Sequence, residues 1–508
     1  MPDTAPVRCE AARPGEWPRA AIVLLGALAC GVAFTLFARL VLYHFYLRGG
    51  FLLDSGLLGG VIWRDAAALN LPPSLGGESF FAFHVAPVLL LAGAVGHALA
   101  LSMPQVFAGF VGLAHGLLAA AIYWLLVSGY GMSRRWMPPL AALASVAFAA
   151  SGLAIAIARY PHFETFGAAC LLLCLVGLVL DRPVVAAVAF VFALATREDL
   201  GLHAFGFLMA WLALNRLRGA PWRGDRVLLG FALAGLLYSA LALLAQHLAF
   251  PGHSSFARVY LGDPPYAHLT ARLLGIRLLG WGYLHAGILA TAFAVGLWAG
   301  WARNPYTMLG YLACLPWALL HLFAASGLAG WMVGYYAFPF LIAMAWPLLA
   351  GLIERRQDSA AAGPDRAPAI ALLGLVGVSL LPIGRDYDPG RIEIPEAFLH
   401  APSIARQRAT DRAVAAVAAA RPLLGTLEVD NSIAALAPFA FPRGEVAGWA
   451  EGTPNTLVYL AEGFDAARMR AAATLPVRYR VPGTEIRIDT DRPPETMRAL
   501  GIPLDAAP

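Results

Sequence analysis

The chain has 508 residues, of which 59% are hydrophobic and 13% are charged, and its mean hydropathy is +0.67. A soluble domain carries about 25% charged residues, so this composition excludes an ordinary soluble enzyme, a disordered chain and a collagen-like repeat. All 36 basic residues are arginines, and because they are scattered between apolar runs, the net charge of +5 does not indicate a nucleic-acid-binding surface. The composition indicates a multi-pass membrane protein.

Long apolar runs, taken in chain order, predict membrane helices. Residues 1–19 form a tail with scattered arginines, and the apolar run after it is too long for a signal-peptide core. We therefore expect a retained signal anchor with a cytoplasmic N-terminus. Runs long enough to cross a bilayer lie near 20–46, 105–130, 137–158, 163–180, 183–214 (two passes around a polar interruption), 227–250, 279–302, 306–324, 336–353 and 367–383.

The stretch 85–101 is at the lower length limit for a full crossing. If this stretch does not cross, most loop arginines lie on the cytoplasmic side of the membrane. If it does cross, the arginines of the cytoplasmic and outward loops exchange sides, and the chain no longer follows the positive-inside rule. We therefore predict a re-entrant or interfacial helix here, about eleven passes in total, and an outward C-terminus. The cytoplasmic set is then Arg134, Arg135, Arg182, Arg216, Arg218, Arg223, Arg226, Arg303, Arg355, Arg356 and Arg366.

The predicted domain organisation has three parts. A cytoplasmic tail (1–19) precedes a transmembrane domain over 20–384, whose first loop, 47–84, faces outward. The charge content rises to ordinary soluble levels over 385–508, which predicts an outward soluble α/β domain. Ser403 is a plausible N-cap for a helix over 401–421. Short β-type runs separated by Pro and Gly follow at 424–429, 456–461, 476–481 and 484–488.

Several familiar catalytic patterns are absent from the sequence. The chain has no phosphate-binding Gly-rich loop with its Lys, no His-Glu-x-x-His helix and no Gly-x-Ser-x-Gly elbow. Cys170 and Cys174 share a helix face and could bind a metal, but free cysteines in apolar runs are usually packing residues. The candidate site must therefore come from ionisable residues at membrane depth, where each is costly unless it faces a cavity.

The triplet Arg197-Glu198-Asp199 is the clearest such group. It follows Pro183 by too few residues to reach the outer surface, since 14 residues make about 21 Å of helix against a hydrocarbon core of ~30 Å. An arginine and two carboxylates in a protein-lined cavity could hold a phosphate, a hydroxyl or a metal. A helix break with an internal ion pair is the alternative.

Two further groups lie near the outer surface. His162 and Glu164, at the junction of two passes, could coordinate a cation or orient a substrate, or His162 could be an ordinary loop residue. Asp54 lies in an apolar run just after the first pass, where partial desolvation would raise a carboxyl pKa toward that of a general base. A helix N-cap is the alternative for Asp54.

The remaining candidates are aromatic or basic residues of the outward loops. His84 directly precedes the short apolar stretch 85–101. Three loop arginines suit a lipid-linked phosphate near the interface, or simply lipid headgroups: Arg258, Arg272 and Arg277. Trp331, Tyr335 and Tyr336 are typical of an interfacial aromatic belt, and the two tyrosines are also candidate site residues.

The order of these features resembles the GT-C class of integral-membrane glycosyltransferases, which use polyprenyl-phosphate sugars. More closely, it resembles a bacterial and archaeal membrane family of unknown function placed with that class. The resemblance covers most of the chain, although each motif is short. The matching pieces are 51–56, His84-x-x-Pro87, His162 with Phe163 and Glu164, Arg197-Glu198-Asp199, Tyr335-Tyr336-x-x-Pro339, and 427–432 with 441–442.

The resemblance implies a polytopic, mainly α bundle of GT-C type in the inner membrane, with a small outward α/β domain at its C-terminus. It also implies that Asp54 binds or deprotonates the acceptor hydroxyl. Many members carry two adjacent acidic residues there, whereas Ser55 follows Asp54 here, so Asp65 or Glu78 would have to complete the site. The metal site is unknown, and a divalent cation is a candidate cofactor. Arginine would replace lysine as the phosphate partner.

The resulting hypothesis is a transferase that moves a sugar from a polyprenyl-phosphate carrier to an envelope glycan, lipid or protein, without any nucleic-acid partner. A carrier or flippase for a lipid-linked sugar is the first alternative, because intramembrane ionisable residues also serve proton relays. A non-catalytic scaffold for envelope assembly is the second. The transferase hypothesis requires Asp54, His84, His162 and the 197–199 triplet to converge on one cavity.

Overall fold

The computed structural model describes residues 17–48, 52–63, 71, 79–219, 224–252, 256–332, 334–357, 365–381, 394–450, 452–463, 466–472 and 475–506. Sixteen of its helices precede residue 382. They are α1 (Arg19–Tyr43), α2 (Leu52–Trp63), α3 (Val88–Ala98), α4 (Met103–Trp124), α5 (Met137–Ala149), α6 (Gly152–Ala158), α7 (Glu164–Val179), α8 (Pro183–Leu194), α9 (Leu200–Leu217), α10 (Asp225–Ala249), α11 (Ala271–Leu284), α12 (Ala286–Ala302), α13 (Leu309–Leu322), α14 (Gly327–Trp331), α15 (Pro339–Gln357) and α16 (Ala367–Ser379).

These helices confirm a mainly α membrane protein. Among the described residues, five helices are long and apolar enough to cross a bilayer, or up to seven if each bent pair is one span. The bent pairs are α5 with α6 (43°) and α11 with α12 (78°), and α3, α7, α8 and α16 are shorter apolar helices. The count of about eleven passes stays a prediction.

The centre of the bundle is formed by helices that are apolar on all sides. α7 is buried along nearly its whole length, and α15 is buried from Phe340 through Ala350. A helix that is apolar all round belongs in a protein interior or in lipid. α10 shows the other arrangement, because it buries one narrow face against α9 and exposes its leucines, such as Leu233 and Leu237. Those leucines face the lipid in a membrane protein.

Helix α3 covers only part of the predicted segment 85–101. Its 11 residues make about 16 Å of helix, roughly half of a hydrocarbon core of ~30 Å. Ser102 precedes α4, which begins at Met103, and its backbone N–H donates to the side-chain oxygen of Gln105 (3.0 Å) as in a capping box. The helix is therefore short, and the re-entrant or interfacial assignment of 85–101 stays a prediction.

Most loop arginines lie at one end of the bundle, here called the arginine end. Trp17, before α1, donates its backbone N–H to Ser133 (3.2 Å), and Tyr306 donates its hydroxyl to Asn215 near the end of α9 (2.8 Å). Arg355 joins the end of α15 to Asp365 before α16. The described arginines near these loops are Arg134, Arg135, Arg182, Arg216, Arg218, Arg226, Arg303, Arg355 and Arg366. Arg223 and the side chain of Arg356 are outside the described residues.

The C-terminal part contains a small mixed sheet, as the sequence predicts. Its strands run in the order β1-β2-β4-β3-β5, with β1 and β2 parallel and the other pairs antiparallel. The two-residue β5 was not foreseen. The elements are α17 (Ile394–Leu399), α18 (Ile404–Ala419), α19 (Arg421–Leu424), β1 (Leu427–Val429), α20 (Asn431–Leu436), β2 (Thr456–Leu460), α21 (Ala466–Ala472), β3 (Val477–Arg480), β4 (Ile486–Thr490), α22 (Pro494–Arg498) and β5 (Asp505–Ala506).

Local sequence signals explain several of these elements. The Ser403 hydroxyl accepts the backbone N–H of Arg406, so the predicted N-cap of α18 is confirmed. Asp430 follows β1 directly; its carboxylate accepts the backbone N–H of Ile433 (2.7 Å) and that of Leu460 in β2 (3.0 Å). One buried aspartate therefore caps α20 and also ties this helix to the sheet.

The C-terminal unit packs directly on the membrane helices. Tyr46, after α1, donates its hydroxyl to Asp411 of α18 (3.0 Å). Gln105 of α4 donates to the side-chain oxygen of Gln407, also in α18 (2.9 Å). Burial raises the pKa of Asp411 to about 6, while the hydrogen bond from Tyr46 acts in the opposite direction. These contacts lie at the end of the bundle opposite to the arginine end.

Candidate functional site

The candidate site forms where several helices begin at the same level of the bundle. Glu164 is the first residue of α7, and Asp199 directly precedes α9. His84 lies four residues before α3, whose Val88 backbone N–H reaches the carbonyl of Ala195 after α8 (2.9 Å). Carboxylates are favoured at helix N-termini because the backbone N–H groups there are unpaired and partly positive. The N-terminal ends of α7 and α9 therefore both carry an acidic side chain at the candidate site.

A buried ion pair is the centre of the site. Glu164 is completely buried, and its Oε1 accepts from the Arg197 guanidinium at 2.6 Å. Its other oxygen, Oε2, contacts Nδ1 of His162. A buried pair of this kind must offset the cost of removing both charges from water. Glu164 thus joins two of the predicted groups, 162–164 and 197–199.

Arg197 and Glu198 extend this network to His84. The Nε of Arg197 lies 3.2 Å from Asp199 Oδ1 and 3.7 Å from Glu198 Oε1. Glu198 Oε1 in turn lies 3.0 Å from Nδ1 of His84, and Oε2 accepts the backbone N–H of Val85 (2.9 Å). One chain of contacts therefore links His162, Glu164, Arg197, Glu198 and His84. Asp199 joins this chain through Arg197.

This network lies beside a cavity of about 480 Å³. Its polar wall is formed by His84 and the 197–199 triplet, whereas the facing walls are aromatic and aliphatic. A cavity with one charged wall and extended apolar walls suits an amphiphile whose head is polar and whose tail is hydrocarbon. The lining residues are His84, Arg197, Glu198, Asp199, Leu202, His203, Phe205, Gly206, Leu243, Gln246, Phe256, Val259, Tyr260, Ala313, Pro316, Trp317, Leu320, Tyr335 and Tyr336.

The two predicted tyrosines belong to this cavity. The ring of Tyr335 stacks on His162 with centroids 4.0 Å apart, and on Tyr160 at 5.7 Å. Tyr336 lies beside Tyr335 and carries the backbone carbonyl that accepts Trp317 Nε1 (2.8 Å). Aromatic rings placed in this way hold the His162 imidazole against Glu164. The structure thus places Tyr335 and Tyr336 in the wall of the cavity.

Asp54 lies in the first turn of α2, which begins at Leu52, so it does not occupy the N-cap position. Its side chain is outside the described part of the chain, as are Asp65 and Glu78. The next residue locates this turn, because the buried Ser55 hydroxyl donates to the carbonyl of Pro161 (3.2 Å). Pro161 precedes His162, so the backbone of Asp54 lies close to the charged network.

Helix α2 is held from its other side by the C-terminal unit. A Cβ added at Gly56 would overlap the backbone of Ala435 in α20, and one added at Gly60 would lie 2.5 Å from Pro438 Cγ. Only glycine permits this close approach. The two sequence segments that carried the resemblance at 51–56 and 427–442 are therefore two sides of one contact.

Three predicted phosphate ligands do not reach the cavity. Arg277 is buried, but its guanidinium donates to the carbonyl of Leu322 (2.8 Å) and packs on Gly330. Arg258 and Arg272 are exposed, and neither lies among the residues that line the cavity. The loop that contains Arg258 does lie at the site, because its residues Val259 and Tyr260 line the cavity. Charge and aromatic composition could not show which way each side chain points.

Several residues that line the cavity were not predicted from the sequence. His203 follows Asp199 by one helical turn, and its ring packs edge-on against Trp317 (centroids 4.7 Å apart). Gln246 is a polar residue within the apolar run of α10, and it donates to the carbonyl of Phe81 (2.9 Å). Their spacing from known candidates, or their polarity in an apolar run, could have indicated them. Nothing in the sequence indicated Trp317.

The site carries more carboxylates than guanidinium groups. Glu164, Glu198 and Asp199 surround the single arginine of the described network, and the two histidines supply the remaining polar contacts. Within the described ranges, no group of three or more His, Cys, Asp or Glu side chains is arranged to hold a metal ion. Cys170 and Cys174 are both buried in α7, in agreement with a packing role.

Comparison with solved structures gives only distant likenesses. No family model and no curated protein matches the sequence. The chain is similar to the crystal structure of ArnT from Cupriavidus metallidurans bound to undecaprenyl phosphate, with 14% identity and a TM-score of 0.44, over 93% of this chain and 98% of that one. It is also similar to the Archaeoglobus fulgidus oligosaccharyltransferase in complex with zinc and sulfate, with 13% identity and a TM-score of 0.32, over 91% and 74%.

Proposed function

We propose that this protein is a GT-C-type membrane glycosyltransferase that moves a sugar from a polyprenyl-phosphate carrier to an envelope acceptor. The main support is that candidate residues far apart in the sequence lie together beside one cavity. Residues from separate parts of the sequence, His84, Glu164, Arg197 and Tyr335, form one network beside one cavity. Buried charges are costly at membrane depth, so a linked set of them beside a cavity indicates a site rather than packing.

The proposed orientation follows from the charge at the two ends of the bundle. Cytoplasmic loops of membrane proteins are rich in arginine and lysine, so the arginine end is assigned to the cytoplasm. The cavity and the C-terminal unit then face outward from the inner membrane, and the N-terminus is cytoplasmic. The proposed domain limits remain 20–384 for the membrane part and 385–508 for the soluble part.

The donor would bind with its two chemical parts on two walls of the cavity. The hydrocarbon tail would enter from the bilayer and lie against apolar residues such as Leu243 and Leu320. Its phosphate would meet Arg197, the one arginine among the lining residues of the described chain. The His84 imidazole, which also lines the cavity, would be a further polar contact for the donor headgroup.

Asp54 is the proposed general base. It would accept the proton of the acceptor hydroxyl while the acceptor oxygen bonds to the anomeric carbon of the sugar. The bond from that carbon to the phosphate oxygen would break on the opposite face, which inverts the anomeric centre and releases polyprenyl phosphate. The C-terminal unit, which packs on α2, would shape the acceptor side of this site.

Transfer of a labelled sugar from polyprenyl phosphate to endogenous acceptor, in isolated membranes, tests this chemistry. Asp54→Asn should lower the rate at least about a hundredfold, because general-base catalysis contributes that much. Asp505→Asn, an exposed change in the C-terminal strand β5, is the matched control and should leave the rate unchanged. Equal rates in wild type and Asp54→Asn would end the proposal, and movement of intact donor without transfer would favour a carrier.

A divalent cation remains a proposed cofactor, to be tested in the same assay. The proposed transfer reaction does not require a metal ion for any bond that forms or breaks. Addition of EDTA should abolish transfer, and Mg²⁺ or Mn²⁺ should restore it, if a cation helps to hold the donor phosphate. Full activity in EDTA would remove the cation from the proposal and leave Arg197 as the phosphate partner.

A further inference from the structure

A second cavity, of about 470 Å³, lies at the arginine end of the bundle. It opens between α12, α15 and α16, beside Tyr130 in the connection from α4 to α5. Helix α15 separates it from the candidate site, since its 19 residues make about 28 Å of helix. The lining residues are Tyr130, Trp298, Trp301, Pro347, Gly351, Glu354, Arg355, Asp365, Ala367, Pro368 and Ala371.

The charged residues of this second cavity are of both signs. Arg355 lies 2.5 Å from Asp365 and 4.7 Å above the ring of Tyr130. The side chains of Arg355 and Asp365 keep 29% and 36% of their surface exposed. With Glu354, the described lining carries two carboxylates against one guanidinium. Charges of both signs in one lining complement a ligand that itself carries both a positive and a negative group.

The aromatic residues place this cavity at a lipid-facing surface. Trp301 is 87% exposed, and it continues a row on α12 with Leu297 and Phe293, which lie one and two helical turns away. Ile370 on α16 is also exposed. A Cβ added at Gly374 of the same helix would meet nothing within 4 Å. The exposed apolar row leaves room for a hydrocarbon chain, and tryptophan is typical of the headgroup level.

We propose that the second cavity binds the headgroup of a zwitterionic phospholipid that carries a primary ammonium. The ammonium would lie against Glu354 and the faces of Trp298 and Trp301, which attract cations through carboxylate charge and ring quadrupoles. The phosphate would meet the exposed part of the Arg355 guanidinium. An acyl chain would follow the apolar row of α12. This site is distinct from the proposed donor cavity and does not depend on the transferase function.

Native mass spectrometry of the full chain, delipidated and then mixed with one dioleoyl lipid at a time, tests the proposal. Phosphatidylethanolamine should remain bound about tenfold more than phosphatidylglycerol at equal concentration. Phosphatidylcholine should be retained less than phosphatidylethanolamine, because its ammonium has no N–H to donate to Glu354. Equal or better retention of either competitor would overturn the proposed headgroup.

Two variants and one control locate the bound lipid. Glu354→Gln and Trp301→Leu should each lower phosphatidylethanolamine retention about tenfold. Trp301 is so exposed that its replacement cannot act by unfolding the chain. Trp136→Leu, an exposed tryptophan near the same end that lies outside the cavity lining, should leave retention unchanged. Unchanged retention in Glu354→Gln or Trp301→Leu would place the lipid elsewhere and overturn the proposal.

Discussion

The two cavities have almost the same volume but hold their charges differently. At the candidate site, Glu164 and Arg197 are 0% and 5% exposed and belong to a continuous network. At the second cavity, the comparable pair of Arg355 and Asp365 is about one third exposed. A buried pair must offset a desolvation cost of several kcal/mol per ion, whereas an exposed pair contributes about 0–1 kcal/mol. The comparison distinguishes a site whose charges are buried and linked to one another from a site whose charges stay partly exposed to solvent.

Breaking one ion pair at each cavity tests this difference. The buried pair should give the largest change in the free energy of unfolding. Glu164→Gln leaves the buried Arg197 without its closest carboxylate, so we expect a loss of about 3 kcal/mol in the free energy of unfolding. Asp365→Asn, the matched change at the exposed pair, should cost less than about 1 kcal/mol. Denaturant unfolding of the purified chain in one detergent compares the two. Equal losses would contradict the distinction between the two cavities.

The contact between α2 and α20 can be tested with a single methyl group. Gly56→Ala would force the two helices apart, because the added Cβ overlaps the backbone of Ala435. We expect a loss of about 1–3 kcal/mol in stability and a slower transfer reaction, since α2 also carries Asp54. Gly230→Ala in α10 is the control, because a Cβ there meets nothing within 4 Å.

The control should be neutral or stabilise the chain by up to about 1 kcal/mol, the helix preference of alanine over glycine. Thermal unfolding and the sugar-transfer rate of both variants decide the outcome. If Gly56→Ala behaved like Gly230→Ala in both measurements, α2 would not be clamped between the bundle and the C-terminal unit.

A smaller, pH-dependent effect is expected at Asp411. Burial raises its pKa from 3.8 to about 6, so the folded protein holds this proton more tightly than the unfolded chain. The resulting stabilisation is fully present below the unfolded value and is lost as the pH rises through about 6. Hydrogen exchange of α18, corrected for the intrinsic pH dependence, should therefore be slower at pH 5 than at pH 7.

Asp411→Asn keeps the partner for Tyr46 but cannot titrate, so it should remove this difference between pH 5 and pH 7. Asp505→Asn, at an exposed position, should retain the wild-type dependence. Exchange of α18 that is independent of pH in the wild type would show that Asp411 does not link docking to protonation.

The sequence located most elements because local signals govern them. Apolar runs predicted the helices, Ser403 predicted the start of α18, and β-type runs predicted four strands to within a few residues. The strand at Asp505–Ala506 was missed because two residues carry too little pattern. Helix breaks at His162–Glu164 and at 197–199 were visible as charges that an apolar helix would not otherwise contain.

The partners of these charges could not be predicted from the sequence. His84 and Glu198 are 114 residues apart, and Tyr46 and Asp411 are 365 residues apart, so no local pattern links them. The direction in which each side chain points could not be predicted either. Arg258 and Arg272 share a loop region with Tyr260, yet of these three residues only the tyrosine lines the cavity. Tertiary packing decides both, which is why short motifs indicated the site residues but not their arrangement.

The proposed function requires that the cavity beside Arg197 receive the polyprenyl-phosphate donor. A polyprenyl phosphate with a photoreactive group next to its phosphate can be cross-linked to the full chain in membranes, and the labelled peptides identified by mass spectrometry. We expect labels within 197–206, 313–320 and 335–336, and excess unlabelled polyprenyl phosphate should suppress them. Labels confined to 298–301 and 351–371, at the second cavity, would contradict this expectation.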